Sequence, residues 1–419
     1  MYTAEEFKNQ YQAANQTDLS KAKAVMDIIH EVQERGDDAL IDYARQFDGV
    51  ELDSDQLEVP IAEMRKAYNE LDSDLRDALE EAYKQIYKYQ ESIKWSTMPK
   101  SELYQNIQPL NRIGIYVPGG KASYPSTVLM TATLANVAGV RETIIVTPPQ
   151  PGGINKTTLA ACFIAQVDHV YQSGGAQGIA AMAYGTETIP KVDKIVGPGN
   201  QYVALAKKLV YGDVGIDSIA GPSEIVLVVD ETANEEWVAL DVLAQAEHDE
   251  MARTFLISTN KEKLAAVEAE IDKQKLKQSR LSVINGSLKD HHYPILTSGK
   301  RETIEIVNLI AGEHVSIQTK NAEEYISEIK TAGALFIGPY SPEAIGDYVA
   351  GPSHVLPTNG NARFANGLTV NDFLRTNSVI QLKKETFQKM APFGMRIAKE
   401  EELQAHHDSL AVRWKEEGK

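Results

Sequence analysis

Apolar residues recur at helical spacing through the first hundred positions of the chain. Four of them fall at the i, i+3, i+4 and i+7 positions that one face of a helix presents: Val25, Ile28, Ile29 and Val32. Gly36 follows as a candidate C-cap, and the same period returns before Gly49. A third helix, rich in charged residues, is expected over residues 75–95. The pattern therefore predicts a helical N-terminal region.

From Arg112 onward, short runs of β-branched residues alternate with helical stretches. One series of candidate strands covers residues 113–117, 143–147, 194–196 and 225–230, and a second series contains residues 254–258 and 334–337. Strand–helix alternation of this kind is typical of parallel sheets covered by helices on both faces. Two series predict an α/β fold with two Rossmann-like domains and parallel-rich sheets.

The pattern divides the chain into four parts. Residues 1–111 form the helical N-terminal region, which we expect to pack partly on the second α/β domain. The first α/β domain covers residues 112–224, and the second covers residues 225–372. Residues 373–419, where the strand pattern fades and charged residues accumulate, form a small C-terminal segment.

Composition narrows the classes of function. The 419-residue chain has 42 Lys and Arg against 59 Asp and Glu, a formal charge of −17, so we expect neither nucleic-acid nor membrane partners. The richest apolar stretch, residues 128–140, contains polar residues and is shorter than the ~20 apolar residues of a membrane span. The N-terminus lacks a basic start followed by an apolar stretch, and one cysteine excludes a disulfide framework. These features predict a soluble, cytoplasmic protein.

Three glycine-containing turns follow the first series of strands, at residues 116–120, 173–177 and 197–200. Ligands of open α/β sheets bind at the carboxyl ends of strands, where a helix N-terminus offers unpaired N–H groups to a phosphate. The three turns together favour a nucleotide or another anionic ligand, although each alone is also explained as a tight connection. Neither a G-x-G-x-x-G nor a Walker sequence occurs, so a standard dinucleotide fold and a P-loop kinase or ATPase are not favoured.

Two short segments carry side chains suited to metal binding and to proton transfer. Gln245 and His248 end an apolar helical pattern at i, i+3 spacing and would project from one helix face, as two ligands of one metal would. The alternative is a helix-terminal histidine that caps the helix or lies on the surface. Glu313 and His314 precede a β-branched stretch and could supply two proton-transfer groups of different pKa, or could be two exposed polar residues.

Further candidate ligands lie toward the C-terminus. Glu343, Asp347 and His354 occur close together, and Asp347 could complete a metal site of mixed nitrogen and oxygen donors. The C-terminal segment adds Glu401 and His406. Cys162, in contrast, lies in an apolar helical stretch and is most simply a small core residue, which argues against a thiol nucleophile.

Taken in order, these segments resemble the histidinol dehydrogenase family from about Arg112 to His406. The resemblance rests on residues 216–224 (IDSIAGPSE), 245–248 (QAEH), 313–314 (EH), and 346–348 (GDY) leading into 354–358 (HVLPT). Any one of these segments could occur by chance, whereas their joint order and spacing is specific. The first hundred residues match only loosely and support the fold.

The resemblance implies a homodimeric zinc enzyme that oxidises L-histidinol to L-histidine through an aldehyde, the last steps of histidine biosynthesis, while reducing two NAD. It implies one Zn²⁺ per subunit with four ligands, the last lent across the dimer interface: Gln245, His248, Asp347 and His406. It implies Glu313 and His314 as the catalytic acid/base pair, and three NAD contacts: Tyr116, Gln177 and Asn200. The substrate pocket would add four residues to the zinc ligands and His314, namely Ser223, Glu343, His354 and Glu401.

By the same resemblance, the first α/β domain contacts NAD, the second carries the zinc and catalytic residues, and the C-terminal segment is a dimerisation tail. Zinc would anchor the substrate while hydride leaves for nicotinamide, His314 would take the alcohol proton, and Glu313 would activate the water that adds to the aldehyde. One departure is Gly312, where the family usually has proline, so we expect a more flexible turn there.

Three other functions compete with this interpretation. A family relative that oxidises a different alcohol would keep the zinc ligands, but it would not need the residues expected around an imidazole, all of which are present here: Glu343, His354 and Glu401. A zinc hydrolase would bind no nucleotide, and the three glycine turns speak against it. A catalytically silent binding protein would not need the complete set of candidate residues.

Overall fold

The computed structural model describes residues 1–11, 20–96, 100–119, 124–219 and 221–414. Gly120 and Ala220, which belong to two of the turns and motifs above, lie outside the described residues. The chain divides into two compact units. The larger unit comprises Met1–Lys94 and Pro109–Phe373, and the smaller comprises Trp95–Gln108 and Leu374–Lys419.

The strands, in chain order, are β1 (Tyr2–Thr3), β2 (Glu58–Val59), β3 (Leu103–Pro109), β4 (Arg112–Tyr116), β5 (Glu142–Thr147), β6 (His169–Gln172), β7 (Lys194–Val196), β8 (Gly215–Ile216), β9 (Glu224–Val229), β10 (Arg253–Ser258), β11 (His292–Leu296), β12 (His314–Gln318), β13 (Ala334–Ile337) and β14 (Leu374–Ile380).

The helices are α1 (Ala4–Gln10), α2 (Ala22–Arg35), α3 (Asp37–Tyr43), α4 (Ile61–Asn69), α5 (Ser73–Ile93), α6 (Pro125–Ala138), α7 (Lys156–Ile164), α8 (Gly175–Tyr184), α9 (Gln201–Val210), α10 (Glu235–Ala246), α11 (Lys261–Gln274), α12 (Leu281–His291), α13 (Lys300–Ile310), α14 (Glu343–Tyr348), α15 (Lys384–Glu400) and α16 (Gln404–Trp414). None of the described helices is long and apolar enough to cross a membrane.

The larger unit contains two six-stranded sheets. The first has the order β2-β6-β5-β4-β7-β8 and is parallel except for the β2 edge. The second has the order β1-β11-β10-β9-β12-β13 and is parallel throughout. The prediction of an α/β fold with two parallel-rich sheets is therefore confirmed.

Residues along β9 show why the second sheet is buried on both faces. Ile225, Leu227 and Val229 pack into a core with α10 and α11, whereas Val226 and Val228 pack into a separate core with α13 and Phe7. Successive side chains of a strand point to opposite faces, so an uninterrupted apolar run fills two cores at once. The helical layers on both sides follow from this pattern.

The N-terminal region contributes to both sheets. Helix α2 ends at Gly36, whose φ is +54°, so this predicted cap is confirmed, and Gly49 caps the next helical segment with a φ of +67°. Helix α2 packs against α8 and α9, α4 packs against α7, and α5 packs against α6. Strand β1 and helix α1 instead join the second sheet beside β11.

The smaller unit is built from a two-stranded sheet and two helices. Strand β3 pairs with β14, and α15 packs against α16. The charged stretch that starts near Lys399 ends α15 and is followed by α16, most of whose residues are exposed. The sequence pattern indicated no strand in residues 373–419, so β14 was not predicted.

Candidate active site

A cavity of about 1420 Å³ lies in the larger unit, between the two sheets. Pro118 and residues 198–201, which follow β4 and β7, line it from the first sheet. Ser223, Glu313 and His314, at the starts of β9 and β12, line it from the second sheet. The carboxyl edge of one sheet and the amino edge of the other therefore open on the same cavity.

His314 is the first residue of β12 and is only 4% exposed. Its Nδ1 lies 3.0 Å from the carbonyl oxygen of Glu224, so Nδ1 carries the ring proton and the Nδ1–H donates to this carbonyl. The Nε2 atom is buried, has no hydrogen-bond partner among the described residues, and lies 3.9 Å from Asp347 Oδ1. Burial, followed by the nearby His248 and His354, lowers the pKa of His314 to about 3. His314 is therefore a neutral imidazole with an available lone pair on Nε2.

Glu313, next to His314, is 6% exposed, and its Oε2 accepts a hydrogen bond from the Glu224 N–H at 3.0 Å. Burial raises the pKa of Glu313 well above the usual range of a carboxyl, and the charges of Glu224 and Asp347 raise it further. His314 Nδ1 lies 3.7 Å from Glu313 Oε2. The adjacent pair predicted from sequence thus consists of two buried side chains whose pKa values are displaced in opposite directions.

Three side chains suited to metal binding lie together in the same region. Ligand atoms of His248, Glu343 and Asp347 all lie within 4.8 Å of one another. Burial raises the pKa of Asp347 to about 7, and burial followed by the Asp347 charge raises that of Glu343 well above its usual range. A divalent cation would offset the repulsion between the two carboxylates, and nitrogen and oxygen donors suit Zn²⁺. The residues present therefore fit a zinc ion.

Glu343 and His248 add detail that the sequence pattern did not give. Glu343, expected in the substrate pocket, is 2% exposed and lies among the candidate metal donors. His248 lies just beyond the end of α10, with its N–H bonded to the Gln245 carbonyl at 3.2 Å. His248 is exposed, yet the protein around it disfavours the charged imidazolium and lowers its pKa.

Gln245 is fully buried in the last turn of α10. With its amide oriented by the surrounding acceptors, its nitrogen donates to Glu343 Oε1 at 3.0 Å and to the Glu224 carbonyl at 3.2 Å. The amide oxygen then points away from these acceptors. Gln245 therefore contacts Glu343 directly, and its oxygen is the atom that a metal would use.

Two further residues expected around the substrate also line the cavity. His354 donates its Nδ1–H to the carbonyl of Asp347 at 3.1 Å, and burial lowers the pKa of His354 to about 4. Ser223 precedes β9 and is partly buried. The structure thus brings Ser223 and His354 to the same cavity as Glu313 and His314.

The three expected nucleotide contacts lie one in each of the three glycine-containing turns. Tyr116 ends β4, and its hydroxyl oxygen accepts a hydrogen bond from the Gly175 N–H at 3.0 Å. Gln177 lies in the first turn of α8, and its side chain lies close to Gly175: a Cβ on Gly175 would be 2.8 Å from Gln177 Oε1. Asn200 caps α9, because its Oδ1 accepts from two N–H groups of the first turn at 2.9 and 3.2 Å. Only its amide nitrogen is left for a cofactor.

An ion pair that the sequence analysis did not identify holds the turn before Asn200. The Gly197 N–H donates to Asp217 Oδ2 at 2.8 Å, and Lys207 Nζ donates to the Gly197 carbonyl at 3.1 Å. Lys207 and Asp217 also pair with each other, with side chains 3% and 4% exposed. Gly197 has a φ of +110°, and a Cβ there would lie 2.2 Å from the Tyr116 carbonyl oxygen. This position therefore requires glycine.

Glu401 and His406 belong to the smaller unit. Glu401 is the C-cap of α15, His406 lies in the first turn of α16, and both are exposed. Their expected roles at the substrate and the zinc stay predictions. Cys162 lies fully buried on α7, and burial raises the pKa of its thiol, so it is an unreactive core residue as expected.

Sequence reasoning gave no role to three residues of a network that reaches the Glu313–His314 pair through Glu224: Glu224, Arg253 and Asn359. Glu224 and Arg253 are the first residues of two neighbouring strands that are buried along their whole length. A charged residue that opens a buried strand needs a partner, and this was the signal that could have identified them. Nothing in the sequence pattern indicated Asn359.

Two parallel-rich sheets, with a cluster of side chains between them that are suited to proton transfer and metal binding, are typical of an α/β enzyme. The histidinol dehydrogenase family model matches residues 11–414. A histidinol dehydrogenase of Staphylococcus saprophyticus is 55% identical over 394 residues, covering 94% of this chain and 93% of that protein. One from Staphylococcus epidermidis is 53% identical over 415 residues, covering 99% of this chain and 100% of that protein.

Comparison of structures gives the same result. The crystal structure of histidinol dehydrogenase from Elizabethkingia anophelis superposes with a TM-score of 0.94 at 34% identity, covering 99% of this chain and 97% of that chain. The chain belongs to the histidinol dehydrogenase family and is an oxidoreductase. The resemblance noted in the sequence is confirmed.

Proposed function

We propose that this protein oxidises L-histidinol to L-histidine through the aldehyde, with NAD as the hydride acceptor and one Zn²⁺ per subunit. The observation that carries the proposal is the unpaired, buried Nε2 of His314, which lies beside Asp347 and next to Glu313 in one cavity. The names of the similar curated proteins support L-histidinol as the substrate over another alcohol.

Each side chain of the pair has a distinct step in the proposed reaction. Zinc would orient and polarise the substrate, and NAD would accept a hydride from the same carbon in each oxidation. His314 Nε2 accepts the hydroxyl proton of the alcohol in the first oxidation. Glu313 takes a proton from the water that adds to the aldehyde carbonyl, giving the anion of the hydrate, from which the second NAD would accept a hydride to leave the carboxylic acid.

The first α/β domain, residues 112–224, is the proposed NAD-contacting part. The N-termini of α8 and α9 follow β6 and β7 at the carboxyl edge of the sheet, where the positive ends of the helix dipoles favour a pyrophosphate. Tyr116 and Gln177 meet at Gly175, and Asn200 begins α9. The second domain, residues 225–372, is the proposed source of the acid/base pair and of those zinc ligands that belong to the larger unit.

The Gly197→Ala variant tests this assignment. We expect the KM for NAD to rise about tenfold, the effect of ~1.4 kcal/mol, because the new Cβ would contact the Tyr116 carbonyl and displace the turn that leads to Asn200. Gly212→Ala is the matched control, since Gly212 has a similar φ of +115° but nothing within 4 Å of a Cβ. Steady-state kinetics with NAD as the varied substrate would show equal KM changes in both variants if the turn had no role.

We also propose a homodimer in which the C-terminal segment, residues 373–419, reaches the partner and lends His406 to its zinc. Exposed apolar side chains support an interface on each unit. Trp237, Tyr340 and Tyr348 of the larger unit are 43%, 84% and 60% exposed, and Phe393 and Ile397 of α15 are 73% and 59% exposed. The proposal of a cytoplasmic location rests on the single, buried cysteine, as is usual in a reducing compartment.

The formation of NADH from L-histidinol tests the proposed function. We expect two NADH per L-histidinol, loss of the activity after treatment with a chelator, and recovery on addition of Zn²⁺. A simple primary alcohol without the imidazole serves as the control substrate and should give no NADH. NADH from the control alcohol but not from L-histidinol would favour a relative with a different substrate. Zinc binding without any NADH would argue against a dehydrogenase.

A further inference from the structure

The main chain of Glu224 bonds three side chains of the candidate active site. Its N–H donates to Glu313 Oε2 at 3.0 Å. Its carbonyl oxygen lies 3.0 Å from His314 Nδ1 and 3.2 Å from the Gln245 amide nitrogen. A displacement of Glu224 would therefore disturb the acid/base pair and Gln245 together.

The Glu224 side chain is anchored by a buried charged network. Its carboxylate pairs with Arg253 Nη2, and its Oε2 accepts a hydrogen bond from the Asn359 N–H at 3.2 Å. Arg253 lies directly opposite Glu224 in the ladder between β9 and β10, and it also donates to the side-chain oxygen of Asn359. Glu224 is fully buried and Arg253 is 6% exposed. The network thus fixes Glu224 from the neighbouring strand and from the 359 loop.

Stability of the sheet does not by itself account for this ion pair. Strand β9 is central, with ladders to β10 and β12 on its two sides and apolar cores on both faces. Withdrawing a carboxylate and a guanidinium from water is costly, and apolar residues of similar size often stabilise such positions as well or better. Arg253 Nε also has no hydrogen-bond partner among the described residues. A positional requirement of the active site accounts for the pair better.

We infer that the Glu224–Arg253 ion pair positions the acid/base pair, because it fixes the peptide groups that aim Glu313 and His314 into the cavity. The Glu224 carbonyl also keeps the proton of His314 on Nδ1, which leaves the lone pair on Nε2. Glu224 and Arg253 are positioning residues, since they act through hydrogen bonds to Glu313 and His314. The kinetic part of this inference rests on the proposed function.

The Arg253→Met variant tests the inference. We expect it to lower kcat by about 10- to 100-fold, as loss of a supporting partner does at metal sites, with KM for L-histidinol within about threefold and a full zinc content. Arg253→Lys, which keeps the charge, should restore part of kcat. A structural role alone would lower the melting temperature without this separation of kcat from KM.

The matched control is Arg112→Met. Arg112 and Glu142 are likewise the first residues of neighbouring parallel strands, lie opposite each other in register, and pair at 2.7 Å, but they belong to the first sheet, remote from Glu313 and His314. We expect Arg112→Met to lower the melting temperature and leave kcat unchanged. Equal kcat in Arg253→Met and Arg112→Met would overturn the inference, and a rise in KM alone would identify Arg253 as a substrate contact instead.

Two further measurements keep the test decisive. If Arg253→Met does not fold, Glu224→Gln removes the same ion pair with little change of shape and should lower kcat about tenfold. Nitrogen NMR of the zinc-free protein, with His314→Asn to assign the His314 signals, reports the tautomer without any turnover. Loss of the Nδ1–H form in Arg253→Met supports the inference even if wild-type protein does not oxidise L-histidinol, and an unchanged His314 spectrum contradicts it.

Discussion

The His314→Asn variant is expected to lower kcat for L-histidinol oxidation by about 10²- to 10⁴-fold, the range for removal of a general base. Asparagine retains an amide that can donate to the Glu224 carbonyl, which His314 Nδ1 now reaches at 3.0 Å. It has no lone-pair nitrogen where Nε2 lies, so the alcohol proton loses its acceptor. KM should change little, because His248, Glu343 and Asp347 are untouched.

His291→Asn is the matched control for this prediction. His291 also lines the cavity, but no role in proton transfer is expected there, so the same substitution should leave kcat within about threefold of wild type. Zinc content and melting temperature, measured on both variants, exclude loss of the metal or of the fold. A His314→Asn enzyme that retains near wild-type kcat with zinc bound would assign the base to another residue.

Strand β9 illustrates how far the sequence predicts this fold. Its apolar residues 225–229 could be recognised from the sequence because no polar residue interrupts them. The run is uninterrupted because successive side chains pack into two different cores on the two faces of the sheet. The strand begins one residue earlier, at Glu224, because Arg253 on the adjacent strand compensates its charge. Strands β1, β2 and β8 were missed, since two residues at a sheet edge carry no periodicity. The longer strands β3, β6, β11 and β14 were missed as well.

The sequence predicts which residues form the candidate site better than it predicts how they are arranged in space. Glu313, His314, His248 and Asp347 were chosen by chemistry and spacing, and the larger unit brings them together. The expectation that ligands lie at carboxyl ends of strands describes the turns of the first sheet only. Glu313 precedes β12 and His314 begins it, and both face the same cavity because the two sheets pack with opposite edges toward it. Packing between sheets leaves no signal in a local pattern.

The largest gain of activity is expected from mixing two inactive variants, His406→Ala and His248→Ala. If His406 completes the zinc site across the dimer interface, a heterodimer has one site with both histidines intact and one with neither. Random exchange makes about half of the dimers heterodimers, each with one of two sites active, so about one quarter of wild-type activity should return. If each site used its own His406, every site in every dimer would lack one ligand.

His407→Ala provides the matched control for the mixing experiment. His407 is the neighbour of His406, and its Nδ1 contacts the adjacent Asp408 Oδ1 at 2.9 Å. Because no role at the zinc is expected for His407, the His407→Ala homodimer should be active without mixing. Two affinity tags verify heterodimer formation, and zinc content per dimer follows the same ratio as activity. Verified heterodimers that recover no activity, and whose zinc content does not rise above that of the two inactive variants, would show that the site is not shared. Recovery near one quarter requires a donor from each chain, because neither variant carries both histidines.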